Sequence, residues 1–180
     1  MSPEENLRLF LGTLVPREIC ATIREAAAPH LRDRAWRAAP ERQWHVTALF
    51  VGQRSAADLE VIRDAAIRIA ASTALLNLHN GVLCTMGQER PTMMWLRFPP
   101  HAGLTQLHHA LARSTGTTPV PWPVYTPHVT IARSKGSPNA FVETRITVPE
   151  LALAELTLFR SDPGPEGTVH TALESWKLGG

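Results

Sequence analysis

Apolar and polar residues alternate over Leu7-Arg8-Leu9-Phe10-Leu11-Gly12-Thr13-Leu14, which predicts a strand. Pro16 follows at a position where a helix loses nothing by its missing N–H. Helical spacing through Ile19, Ile23 and Ala27 carries that helix to Pro29 or beyond. A second strand is predicted over Gln43–Gly52. Ser55 then reads as an N-cap with Asp58 in the first turn, opening a helix to about Ser72 with the stripe Leu59, Ile62, Ala66, Ile69. Further strands are predicted at Leu75–Cys84 and Met93–Phe98, and a helix at Ala102–Ser114 with Leu104, Leu107 and Leu111 as its stripe. The stretch Pro119-Val120-Pro121-Trp122-Pro123 is too rich in proline for a helix or a central strand. Strands are again predicted at His128–Arg133, near Phe141–Val148 and at Leu151–Phe159. A turn at Asp162–Gly167 precedes a last short strand ending at Lys177. The order strand, helix, then a strand carrying His-Val-Thr occurs twice.

Length and composition narrow the class. The chain has 180 residues, about one domain, long enough to hide roughly 70% of the surface the unfolded chain exposes. Hydrophobic residues make up 44%, which excludes a disordered chain. Lys and Arg number 18 against 16 Asp and Glu, a net charge of +2. Charge alone therefore names no polyanionic partner. Cys20 and Cys84 are too few for a disulfide framework and lack CxxC spacing. No apolar run reaches about 18 residues, so no membrane helix is expected. The opening Met1-Ser2-Pro3-Glu4-Glu5 is acidic where a secretory signal is basic. The expectation is a soluble protein of a reducing, cytoplasmic compartment.

The repeated tripeptide carries the chemistry. His45-Val46-Thr47 and His128-Val129-Thr130 each lie in a run of strand-forming residues. Residues i and i+2 of a strand share a face, so each motif presents one imidazole and one hydroxyl together, with Val46 and Val129 turned to apolar packing. If the two strands are near each other, two imidazoles and two hydroxyls surround a small volume. A neutral imidazole takes a proton from water and an imidazolium gives one to a leaving alkoxide. The hydroxyls donate to phosphate oxygens, and no metal is required. A single His-x-Thr in a strand is weak evidence, since a lone histidine there is more often an ordinary half-exposed residue. Two identical motifs on two strands are not so easily set aside.

These motifs, together with Arg8-Leu9-Phe10, Trp95-Leu96, Thr126-Pro127 before the second motif, Ile131-Ala132-Arg133 after it, and Leu158-Phe159-Arg160-Ser161, resemble the 2H phosphoesterase superfamily over nearly the whole chain. The nearest branch is that of the bacterial and archaeal RNA 2',3'-cyclic phosphodiesterases, LigT-like proteins also described as 2'-5' RNA ligases. The resemblance implies an α+β, bilobal fold over residues 1–180 as a single domain. Two pseudo-symmetric lobes, with antiparallel sheets flanked by helices, would enclose a central cleft. It implies His45 as proton donor, His128 as proton acceptor, Thr47 and Thr130 as phosphate holders, and Arg133 beside the phosphate or sugar. It implies no cofactor, and as partner an RNA with a 2',3'-cyclic phosphate end or a small cyclic nucleotide; a monomer is expected, though the sequence leaves the oligomeric state open. The 2'-phosphomonoester product rests on the resemblance alone. Ala48 and Ile131 stand where the family often has leucine, and His170 where it often has tyrosine. None of the three is expected to touch the four motif residues.

Other residues leave alternatives open. Strand alternation puts Arg133 on the face opposite His128 unless the strand ends or bulges near Ala132. Phe10 shares a face with Arg8 and is either a surface for stacking a base or a core residue. Trp122 and Tyr125 either rim the cleft or pack beneath their own loop. His101, His108 and His109 look like a metal cluster, but adjacent helical residues diverge by about 100°, and a solvated helix face fits them better. Against the hydrolase reading stand a 2'-5' RNA ligase, a non-catalytic RNA- or nucleotide-binding protein, and a zinc hydrolase.

Overall fold

The computed structural model describes residues 6–87, 90–118, 125–139, 141–165 and 167–179. Its strands are β1 (Asn6–Leu14), β2 (Trp36–Ala38), β3 (His45–Ser55), β4 (Leu76–Leu78), β5 (Gly81–Met86), β6 (Met93–Arg97), β7 (His128–Ser134), β8 (Thr144–Ile146), β9 (Leu151–Leu153), β10 (Glu155–Asp162) and β11 (Val169–Lys177). Its helices are α1 (Arg17–Leu31), α2 (Leu59–Ser72) and α3 (Ala102–Ser114).

The helices begin where the sequence signals them. Pro16 immediately precedes α1. Ser55 and Asp58 form a capping box, the Ser55 N–H and hydroxyl both donating to the Asp58 carboxylate at 3.0 and 2.9 Å, and one 3-10 turn leads into α2. Two predicted strands are each divided. Leu75–Cys84 breaks into β4 and β5 at Asn80, whose φ of 53° is tolerated by asparagine. Leu151–Phe159 breaks at Ala154, because β9 leaves to pair with β4 while β10 pairs with β1. The last strand, β11, is nine residues long rather than short, and β2 carried no signal of its own.

One antiparallel sheet runs in the order β11-β10-β1-β3-β7-β6-β5-β8, with β2 added on β7. It falls into two halves. Strands β1 and β3 pair along their whole length, and so do β6 and β7, but β3 meets β7 through one residue pair, Val46 opposite Val129. Both valines are buried in the core, at 1% and 0% exposure. Beyond that pair the halves diverge, and β2 takes over the edge of β7 from Ala132 to Ser134. Helices α2 and α3 pack on each other, α3 reaches β3, and α2 reaches β10 and β11. Helix α1 lies by β2, and its His30 stacks on Phe141 at 4.2 Å. The two-lobed α+β arrangement around a cleft is therefore present, the halves of its sheet joined through the single valine pair.

Candidate functional site

Antiparallel pairing about Val46–Val129 sets His45 beside Thr130 and Thr47 beside His128. The two motifs are related by a local twofold through the valine pair. With the valines inward, all four polar side chains emerge on the other face and border one cavity of about 410 Å³.

Each motif ends in a bulge. Gly12 pairs with Thr47 and Leu11 with Leu49, so Ala48 is an extra residue in β3. Trp95 pairs with Thr130 and Met94 with Ala132, so Ile131 is an extra residue in β7. A bulge exchanges the faces of the residues after it. The third residue past each threonine thus returns to the cavity side: Phe50 on β3 and Arg133 on β7 both border it. This resolves the alternation problem at Arg133, whose Nη1 also donates to Met93 Sδ at 3.2 Å.

The imidazoles are held alike. His45 Nδ1 is 2.6 Å from the Gln43 carbonyl, and His128 Nδ1 is 2.9 Å from the Thr126 carbonyl. A carbonyl only accepts, so Nδ1 is the protonated nitrogen in each neutral ring and Nε2 is left for chemistry. An aromatic ring supports each from behind. Phe10 lies 4.7 Å from the His45 ring, and Trp95 stacks on His128 at 3.7 Å and 18°. The Trp95 indole N–H is buried with no hydrogen-bond partner among the described residues.

Phe10 borders the cavity but does not offer a face to a base. It is 1% exposed, stacked on Phe159 at 4.8 Å and covered by His45 and His170. Of its two readings, the buried one holds. Among the described residues bordering the cavity, Phe50 is the phenylalanine left open, 54% exposed. Tyr125 packs against the core, its hydroxyl donating to the Thr47 carbonyl at 2.6 Å, and Trp122 lies outside the described residues.

The expectation that His170 stays clear of the motif residues fails. Its ring meets the His45 ring edge-on at 5.1 Å. Its Nδ1 is 2.9 Å from Ser161 Oγ, and its backbone N–H donates to Gln43 Oε1 at 2.8 Å. No local pattern marks it, because register from β1 through β10 to β11 delivers it. Ala48 and Ile131 differ too, since each is the bulged residue next to a motif threonine. Nor is His108 simply solvated: its Nδ1 donates to the Ala48 carbonyl at 2.7 Å. Arg8 and Arg37 join Arg133 at the cavity, and no Asp or Glu is among the described residues bordering it.

This environment disfavours positive charge on the imidazoles. Burial pushes His45 down to about 4, with His170, His128 and Arg133 adding repulsion against the Gln43 bond. Burial also lowers His128, opposed by the Thr126 bond, and lowers His170, where Arg133 and Arg8 add repulsion. The site is a basic pocket with neutral imidazoles. An anion entering it would restore protonation.

Two imidazoles and two hydroxyls paired about one axis, facing a cavity lined by arginines, define a site for acid–base work on an anion. The chain belongs to the 2'-5' RNA ligase superfamily, whose model matches residues 15–165. The RNA 2',3'-cyclic phosphodiesterase of Thermus thermophilus is 28% identical over 182 residues, covering 97% of this chain and 91% of that protein. In fold, TT0787 of Thermus thermophilus superposes with a TM-score of 0.88 at 24% identity, covering 97% of this chain and 99% of that one. The structure of E. coli LigT complexed with 3'-AMP gives 0.78 at 26%, with the same coverage.

Proposed function

We propose that the protein hydrolyses the 2',3'-cyclic phosphate ends of RNA, or small cyclic nucleotides, to 2'-phosphomonoesters by metal-independent catalysis on His45 and His128. The observation that carries the reading is the twofold-related pair of imidazoles on one basic cavity, each with Nδ1 committed to a carbonyl. The Thermus relative's name and the 3'-AMP bound to LigT support the substrate class.

Thr47 and Thr130 donate to the non-bridging oxygens, and Arg133 balances their charge. His128 Nε2 takes a proton from water as the water oxygen bonds to phosphorus. The bond from phosphorus to O3' breaks, and O3' takes the proton from His45 Nε2. The product is a 2'-phosphate and a free 3'-hydroxyl. His45 is held near 4 mainly by burial, so it carries the proton it gives to O3' only once the anionic substrate is bound beside it, while His128, also lowered by burial, stays neutral to accept one. Phe50 supplies the open aromatic face beside the nucleoside. With a 5'-hydroxyl in place of water the same steps form a 2'-5' linkage, the reaction the family's name describes. We place this activity in a cytoplasmic monomer; the two free thiols, Cys20 and Cys84, are both buried and need no partner.

The test is hydrolysis of an oligonucleotide with a 2',3'-cyclic phosphate end, with EDTA present and the 2'- and 3'-phosphate products resolved. The 2'-phosphate should form, and His45→Ala and His128→Ala should each lower kcat by roughly 10²–10⁴-fold. Abolition by EDTA, a 3'-phosphate product, or a wild-type rate in the double variant would overturn the reading.

A further inference from the structure

The cavity holds more positive charge than the reacting group needs. A cyclic phosphodiester carries one negative charge, and Arg133 with the two threonines already answers it. Arg8 and Arg37 border the same cavity. Arg37 on β2 is the direct cross-strand partner of Arg133 on β7, a like-charged pairing that costs stability. Among the described residues the ion-paired arginines are Arg24, Arg63, Arg97 and Arg160, and none of the three cavity arginines has an acidic partner there. The repulsion reaches the side chains: Arg37 and Arg8 both disfavour the charge on Arg133, after burial.

The placement is as pointed as the charge. Arg8 shares the face of Phe10 and pairs with Gln53, while Gly12, four residues along β1, pairs with Thr47. At about 3.3 Å per residue, Arg8 stands about 13 Å along the strand from the motif threonine. Arg37 comes to the cavity from β2, on the edge of β7. Its guanidinium rests against Gly167, where a Cβ would come within 2.8 Å of Nη2 and where φ is +116°, so glycine leaves the room that this head group occupies. Neither cation is among the charges acting on His45 or His128, and both border one cavity with no acid among the described residues to neutralise them.

We propose that Arg8 and Arg37 form a second anion subsite that holds the phosphate on the 5' side of the terminal ribose, so that the enzyme selects ends carrying a 5'-phosphate or phosphodiester over a bare nucleoside 2',3'-cyclic phosphate. This rests on the reaction proposed above and adds its substrate selectivity. The reacting phosphate stays with the histidines, the threonines and Arg133. The second phosphate contributes binding at a distance, and its loss raises KM more than it lowers kcat.

Two measurements separate the subsite from the reaction. In the first, calorimetry at pH 7.5 compares adenosine 2',5'-bisphosphate with adenosine 2'-monophosphate, with no turnover involved. Wild type should bind the bisphosphate at least tenfold more tightly, and in Arg8→Gln/Arg37→Gln the ratio should collapse toward one. In the second, kcat/KM is measured on adenosine 2',3'-cyclic phosphate with and without a 5'-phosphate. The 5'-phosphorylated substrate should be preferred at least tenfold through KM, and the double variant should lose that preference. Equal affinity for the two ligands in wild type, or a preference that survives in the variant, overturns the subsite whether or not hydrolysis occurs. A binding preference without hydrolysis of either substrate would instead overturn the reaction and keep the subsite.

Discussion

His45 is the residue on which most of the environment acts. It keeps a carbonyl bond at Nδ1, a phenylalanine behind it and a third imidazole at its edge, and burial, aided by Arg133 and by the repulsion that charged His170 or His128 would add, pushes its pKa to about 4. His128 is lowered as well. The pair therefore loses its protons in steps that lie below the ordinary histidine value of about 6.5. The kcat/KM profile reports the free enzyme, so its bell should have its maximum on the acid side of 6.5. Bound phosphate favours the protonated ring, so the kcat profile should lie to the alkaline side of the kcat/KM profile. His170→Gln removes one source of repulsion and should move the kcat/KM bell to higher pH. Measurement from about pH 4 to 9 with EDTA present checks all three; a rate climbing steadily to pH 9 would sink two-histidine catalysis. The motif residues were legible because a strand puts i and i+2 on one face. His170 was not, because its neighbourhood is made by pairing across β10, and Phe10 was ambiguous because facing a cavity and being covered within it look alike in a sequence.

At the scale of elements, the lining of the cavity depends on two irregularities that alternation conceals. Strict alternation from Thr47 to Phe50, or from Thr130 to Arg133, points the later side chain away from the cavity. The extra residues Ala48 and Ile131 return it. Ordinary strand-compatible residues such as alanine and isoleucine do not announce a bulge, so the strands were readable and their turning points were not. The β3 bulge also depends on its neighbour strand. A Cβ on Gly12 would stand 2.8 Å from the Val46 carbonyl and 3.4 Å from the Thr47 Cα. Those are backbone atoms, unable to swing aside as a flexible side chain would. Gly12→Ala should therefore push β3 away at the motif, costing on the order of 1–3 kcal/mol and lowering kcat through displacement of His45 and Thr47. Denaturant unfolding and turnover on the cyclic-phosphate oligonucleotide measure the two effects. Wild-type stability with wild-type turnover would show that β1 does not set the position of the motif.

For the whole molecule, the arrangement that makes the cleft also makes the fold sensitive to acid. The halves join through Val46–Val129, and the freed edge of β3 is occupied by Tyr125 and His108, stacked on each other at 4.9 Å and bonded to the carbonyls of Thr47 and Ala48. The net charge of +2 conceals how that architecture distributes charge, with three arginines and three imidazoles gathered at one cavity that no described acid borders. Folding lowers the pKa of His45, His128 and His170. Below about 6.5 the unfolded chain binds protons that the folded chain refuses, so this contribution to stability is complete above 6.5 and is lost as pH falls toward 4. For His45 alone the shift to about 4 is worth about 3 kcal/mol at most. Carboxylates held low in the fold act in a different window: Asp33, lowered by backbone N–H bonds from Asn139 and Ala35, matters only as pH passes below its ordinary range. Tm measured between pH 7.5 and 4.5 should therefore fall steadily before the carboxylates titrate. His45→Gln should flatten the curve over that interval, and inorganic phosphate should raise Tm more at pH 5 than at pH 7.5, because an anion that binds only the folded state stabilises it and binds best once the imidazoles are charged. A Tm constant from 7.5 to 4.5, or a slope unchanged in His45→Gln, would mean that the cavity histidines are not held neutral by the fold.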